Sequence, residues 1–190
     1  RRYAIKNTMG YGLNSFLDHD RPVKILEHLM IGSEGTLGFV AEAVFRTVKV
    51  PARTATGLLL FESLDAATTA LPHLVYSGAD VVELIDAASI RAMGDDARDV
   101  LPAGFQATNQ ASLLVEYQAD DDEGIAERIA TGNATFADLG GLESSPEMTQ
   151  DAKRRDQMWV MRKGLYTKVA RNRPKGTAAL LEDVAVPMES

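Results

Sequence analysis

The sequence predicts an α+β chain in two parts, 1–51 and 52–190, the second reading as a ferredoxin-like sandwich. Three observations carry this. After Pro51 two strand–helix–strand runs follow one another, as split strand–helix–strand units do. The pattern changes character at Pro51-Ala52-Arg53, with Gly10, Gly12, Gly32, Gly35 and Gly38 punctuating the chain before it. The 190 residues are 45% hydrophobic and 25% charged, a globular composition able to bury a core.

In order, Leu37–Val50 alternates and is rich in Val and Phe, so it reads as one long strand stopped by Pro51. Ala55–Phe61 is a strand of small and aliphatic residues. Ser63 or Asp65 caps a helix running to Tyr76, with Leu64, Ala67, Leu71, Leu74 and Val75 on one face. Ala79–Ile85 is a strand, and Asp86 caps a short helix through Met93. Gly94–Gln110 reads as loop, with Asp95-Asp96 a solvated pair. Ser112–Gln118 is a strand, and Asp120–Asp122 caps a helix to Leu139 that Gly140-Gly141 closes. A short strand is expected near Leu142–Ser145, then one long helix from Met148 to Asn172, then a strand over Ala178–Val186 stopped by Pro187.

Charge and composition exclude several chemistries. With 20 Lys+Arg against 27 Asp+Glu the net charge is -7, which argues against nucleic-acid binding. No cysteine is present, so disulfides, thiolate nucleophiles and Cys-ligated metals are absent from these residues. His19, His28 and His73 lack metal-ligand neighbours and read as surface or packing residues. The apolar runs fall short of the roughly 20 residues of a membrane span. The start on Arg1 without Met reads as a piece of a longer chain.

The glycine-rich segments are the most informative. Gly32-Ser33-Glu34-Gly35-Thr36 can turn successive amides toward an anion, as phosphate nests do. No Gly-Lys-Ser/Thr follows, so it is not a Walker A loop. On spacing alone the glycines read equally as turns of a β-rich domain.

The order of Lys6-Asn7-x-x-Gly10-Tyr11-x-Leu13, then Gly32-Ser33-Glu34-Gly35-Thr36-Leu37-Gly38 and Pro51, is similar to the FAD-linked 2-hydroxy-acid dehydrogenases of the vanillyl-alcohol-oxidase type. That group includes D-lactate and D-2-hydroxyglutarate dehydrogenases and the glycolate oxidase flavoprotein subunit. The resemblance implies that residues 1–51 close a FAD-binding domain and that residues 52–190 form an incomplete substrate cap. It implies FAD contacts at Asn7, Gly10, Tyr11, Gly32, Ser33, Glu34, Gly35, Thr36, Gly38 and Phe39. The wording around Gly10 is most similar to large bacterial members with iron–sulfur clusters beyond this sequence. It further implies a small 2-hydroxy-acid substrate, a downstream electron acceptor, and a cytoplasmic enzyme touching the membrane through that acceptor. The piece alone is expected to be inactive and to hold no FAD.

At about 100° per residue, Met158, Met161, Leu165 and Val169 share an apolar face, with Trp159 and Tyr166 at its edge. Arg162 falls inside that stripe. A core-facing guanidinium must meet a carboxylate, a carbonyl or a ligand. An internal pair with Glu182 or Asp183 is one reading. Trp159-Val160-Met161-Arg162-Lys163-Gly164 resembles the Trp-x-x-Arg element of the family's cap, whose arginine clamps the substrate carboxylate over the flavin. A planar fork suits that task. D-2-hydroxyglutarate-type relatives often have Lys where Leu181 stands, which leaves the substrate's length open. Its His-x-Gly-Asp-Gly-Asn-x-His motif, with the catalytic base and metal ligands, does not occur here, so no catalytic residue and no metal ligand is assigned. The rival reading is a non-catalytic ferredoxin-like binding module.

Overall fold

A computed structural model describes residues 10–144 and 146–178. These fall into two compact units, residues 10–48 and residues 49–178.

In the first unit, α1 (Ser15–Asp18) and α2 (Pro22–Met30) lie between the two glycine segments. Pro22 opens α2, where its missing N–H costs nothing. His19, at the end of α1, sits with its ring 4.0 Å from that of His28 in α2. The expected strand over Leu37–Val50 is not formed: these residues take no ladder pairing among the described residues. Val44, Phe45, Val48 and Val50 stand exposed. The alternation is present, but a strand exists only when another segment takes up its N–H and C=O groups.

The second unit is built on a three-stranded antiparallel sheet: β1 (Arg53–Phe61), β2 (Val81–Ile85) and β3 (Ala111–Ala119), in the order β1-β3-β2. β1 and β2 are joined through α3 (Leu64–Tyr76). Its start is set by Ser63, whose hydroxyl accepts from the Ala66 amide. After β2 come α4 (Ala87–Met93), capped by Asp86, and α5 (Asp95–Arg98). α5 occupies part of the predicted loop, where Asp95 pairs with Arg98 and Asp96 with Lys168. Then β3 leads to α6 (Asp122–Ala137), capped by Asp121.

A fourth strand is reduced to two bridges along β1, Phe61 with Leu142 and Thr56 with Thr149. The edge segment carries six residues between its bridging positions and β1 four, so the register slips by two. Pro146 lies in that stretch and cannot donate to a ladder. With the bridged edge counted, the order is that of a ferredoxin-like sheet.

Both sheet faces are covered. Ala55, Leu59, Phe61, Leu113, Val115 and Tyr117 pack under α3 and α6. On the opposite face Leu58 and Ile85 join Ile90, Met93 and Ala97 of α4 and α5. That second face is closed by α7 (Ala152–Arg162) and α8 (Leu165–Asn172), which bring in Met161 and Leu165. The single helix predicted over Met148–Asn172 is therefore two, broken at Lys163-Gly164 with Gly164 at φ +78°. The 3.6-residue period runs on across the break, which hides it. Among the described residues no helix is long and apolar enough to cross a membrane. The strand expected over Ala178–Val186 lies outside the described residues apart from Ala178 itself.

Candidate functional site

Each unit carries one candidate site. In the first, the glycine segments meet side by side. The Tyr11 hydroxyl lies 2.9 Å from Thr36 Oγ1, which donates to the Ser33 carbonyl at 2.6 Å. A methyl group at Gly32 would sit 3.4 Å from the Gly10 carbonyl oxygen. Gly32 and Gly35 both have φ +79°, and Glu34 between them takes φ +50°, a value few non-glycine residues adopt. Such strain persists where surrounding structure enforces it, often beside a ligand.

Ser33 is buried while Glu34, Gly35 and Thr36 are exposed. The amides of Glu34 and Gly35 have no acceptor among the described residues. Among the described residues nothing lies within 4 Å of where a side chain at Gly35 or Gly10 would begin. Two consecutive open amides on an unobstructed backbone suit a phosphate oxygen. The residues present thus fit the pyrophosphate of a dinucleotide through main-chain groups. Gly38 is tighter, since a methyl there would come 3.0 Å from Met30 Cε. Phe39 is 91% exposed and makes no packing contribution. Asn7 lies outside the described residues.

In the second unit, Arg162 is the last residue of α7. The structure corrects its predicted core position: its side chain is 54% exposed, with Nε 3.3 Å from Glu83 Oε2 on β2. Among the described residues its partner is Glu83, and the Glu182 and Asp183 of the sequence reading lie outside them. The stripe prediction failed because Met158 and Met161 alone fill the core side of α7, and Arg162, the last residue of the helix, stands about 100° round from Met161, outside the buried side.

Sequence reasoning missed the polar cluster beside it. Glu116 of β3 is 5% exposed, a carboxylate within the apolar run Leu113–Tyr117. It pairs across the sheet with Thr56. Thr56 turns its backbone N–H and C=O outward to Thr149, so this pair is the close, non-hydrogen-bonded kind. Thr56 Oγ1 donates to Glu116 Oε2 at 2.8 Å, and Trp159 Nε1 of α7 donates to the same oxygen at 2.9 Å. Gln118 Nε2 donates to Oε1 at 2.9 Å. Arg155 Nε donates to Thr56 Oγ1 at 3.2 Å, and its NH2 lies 3.9 Å from Glu116. These bonds compensate a buried charge that would otherwise be costly. The signal was there to find: one acidic residue inside an apolar strand demands partners.

Arg155, Trp159 and Arg162 fall at i, i+4 and i+7 of α7, one polar stripe meeting two carboxylates of the sheet, Glu116 and Glu83. Next to it runs the apolar stripe of Met158 and Met161.

Comparison with known proteins shows the family of the chain. Residues 50–190 match the family model described as FAD linked oxidases, C-terminal domain. The chain belongs to this family. Among curated relatives, the glycolate oxidase subunit GlcD of Bacillus subtilis is 28% identical over 85% of this chain and 33% of its own length. The mitochondrial D-lactate dehydrogenase [cytochrome] of Arabidopsis thaliana is 29% identical over 86% of this chain and 27% of its own. The D-2-hydroxyglutarate dehydrogenase of Xanthomonas citri pv. viticola is 26% identical over 90% of this chain and 32% of its own. A solved alkyldihydroxyacetonephosphate synthase superposes with a TM-score of 0.47 at 16% identity, over 72% of this chain and 28% of its own. This FAD linked oxidase chain spans a third or less of the length of the curated relatives it matches.

Proposed function

We propose that this chain is part of a FAD-dependent oxidoreductase that oxidises a small D-2-hydroxy acid to the 2-oxo acid. The observation that carries it is Arg162: a guanidinium at the end of a helix, half exposed, engaged along its Nε edge by Glu83. The substrates in the relatives' names (glycolate, D-lactate, D-2-hydroxyglutarate) share one group, a hydroxyl on the carbon next to a carboxylate. A guanidinium has a second edge, NH1 and NH2, that can grip a carboxylate with two bonds. The pair with Glu83 is solvent-screened and weak, so an incoming carboxylate competes with it. Holding that carboxylate fixes the neighbouring carbon, the source of the hydride.

Residues 1–51 are read as the end of a flavin domain and 52–190 as the cap. Gly10, Tyr11, Gly32, Ser33, Glu34, Gly35, Thr36 and Gly38 would hold the FAD pyrophosphate, with Asn7 and Phe39 assigned by resemblance alone. When bound, the flavin supplies the hydride acceptor. Arg162 binds and orients the substrate, and the base that takes the hydroxyl proton is assigned to no residue here. An onward acceptor, read as an iron–sulfur region at the membrane of a cytoplasmic enzyme, rests on the resemblance of the Gly10 segment.

The test is Arg162→Met in the complete flavoprotein with D-lactate and D-2-hydroxyglutarate. The expected result is a fall in kcat/KM of about 100-fold with flavin absorbance retained. Glu83→Gln separates a clamp from a structural ion pair. It should cost far less than Arg162→Met, and equal losses, or an unchanged kcat/KM in Arg162→Met, sink the reading in favour of a binding module.

A further inference from the structure

We propose that Glu116 is a positioning residue, which sets Arg162 by holding Trp159 and Arg155 of the same helix. The proposal rests on the reading of Arg162 as the carboxylate clamp and deepens it.

α7 lies on the sheet through two kinds of contact. Met158 and Met161 fill the core beneath it. Methionine is unbranched and adaptable, so apolar contact of this kind tolerates small rotations and slides. The polar stripe does not. Trp159 Nε1 meets Glu116 Oε2 at 2.9 Å, and Arg155 Nε meets Thr56 Oγ1 at 3.2 Å, one turn apart along the helix. Two directional bonds at separate points fix both the rotation and the height of a helix. Their acceptors sit on neighbouring strands, Thr56 on β1 and Glu116 on β3, in the direct cross-strand pair. That row is itself tied by the 2.8 Å bond between them.

The geometry links this anchor to Arg162. Trp159 precedes Arg162 by three residues, about 4.5 Å along the axis and 60° around it. A helix pinned at Trp159 therefore carries the Arg162 backbone to one place. The contact at Arg162 itself, Nε against Glu83 with a half-exposed side chain, is too weak to do this alone. A buried carboxylate is also a poor choice for stability, because an apolar row of the same volume often serves as well. Placing one under the helix that ends in the clamp buys orientation instead. In this proposal Glu116 acts through Arg162, whose helix it anchors, and not on a reacting atom.

The experiment uses the complete flavoprotein and five variants: Glu116→Leu, Glu116→Gln, Trp159→Phe, Arg162→Met and the double variant Trp159→Phe/Arg162→Met. Glu116→Leu and Trp159→Phe should each raise KM for the 2-hydroxy acid about tenfold, with kcat changed less than about threefold and flavin absorbance intact. Glu116→Gln keeps a carbonyl oxygen for Trp159 and Thr56, and should bring KM most of the way back. In the Arg162→Met background Trp159→Phe should add nothing, because the residue it acts through is gone. A purely structural role would lower thermal stability in all Glu116 and Trp159 variants and leave KM at the wild-type value. That result, with Arg162→Met still impaired, overturns this proposal alone. An unimpaired Arg162→Met overturns the clamp and the proposal together. Should Glu116→Leu fail to fold, Trp159→Phe, which keeps the aromatic bulk, decides between the two. A Trp159→Phe effect that persists undiminished on Arg162→Met also overturns the proposal.

Discussion

Trp159 of α7 donates its indole N–H to Glu116 of β3, 43 residues earlier in the chain. The same carboxylate accepts from Thr56 of β1, so three elements share one buried charge. Removing one donor leaves the carboxylate less compensated in a site that water barely reaches. Trp159→Phe should therefore cost about 1–3 kcal/mol of unfolding free energy, read from the shift of a denaturant midpoint. Thr56→Val should cost a similar amount. Wild-type stability in both would mean that the cluster is already hydrated.

Gly132 shows a packing limit that composition hides. It lies in α6 against Tyr117, and a methyl group there would come 2.7 Å from Tyr117 Cε2. Tyr117 is fully buried and its hydroxyl is 2.6 Å from Ser77 Oγ, so the ring cannot step aside freely. In an open helix Gly→Ala gains about 1 kcal/mol. Here overpacking outweighs that gain, and Gly132→Ala should lose about 1–2 kcal/mol net. A raised melting temperature for this variant would contradict the contact.

What the sequence made legible was local. Ser63, Asp86 and Asp121 each bond an amide three residues on, so their helix starts could be read from side-chain type alone. The three strands likewise show in their β-branched and aliphatic runs. What escaped depends on distant partners. Leu37–Val50 has the alternation of a strand, but no neighbouring segment among the described residues completes it. Arg162 has the periodicity of a core residue, yet it stands outside the buried side of α7 and meets Glu83 on a strand 79 positions away. Glu116 was visible only as an anomaly, since its partners come from residues 56, 118, 155 and 159. The glycine segments were legible as backbone features, and Tyr11 with Thr36 does join them.

The break between α7 and α8 depends on Gly164 at φ +78°. Among the described residues, its chain neighbours aside, nothing lies within 4 Å of where its side chain would begin, so a substitution there tests backbone conformation without a clash. Gly164→Ala should destabilise the protein by about 1–2 kcal/mol, the usual cost of a left-handed L-residue. Because Arg162 ends α7 just before this turn, the same variant should also weaken substrate binding in the complete enzyme. Unchanged denaturant stability would mean that the two helices merge without penalty.

Tyr117 makes stability depend on alkaline pH. Burial holds its phenol above the ordinary value of 10.0, while the Ser77 hydroxyl pulls it back in part. The unfolded chain has no such burial. Below pH 10 the phenol is protonated in both states and its contribution is complete. As pH rises beyond that, the unfolded phenol releases its proton first, so the unfolded state gains and stability falls until the folded phenol has also titrated. The slope is at most about 1.4 kcal/mol per pH unit. Denaturant midpoints measured across this range should decline in the wild type. Tyr117→Phe starts about 1 kcal/mol lower through loss of the Ser77 bond, yet should show a shallower decline. Equal slopes in the two proteins would show that other groups cause the loss.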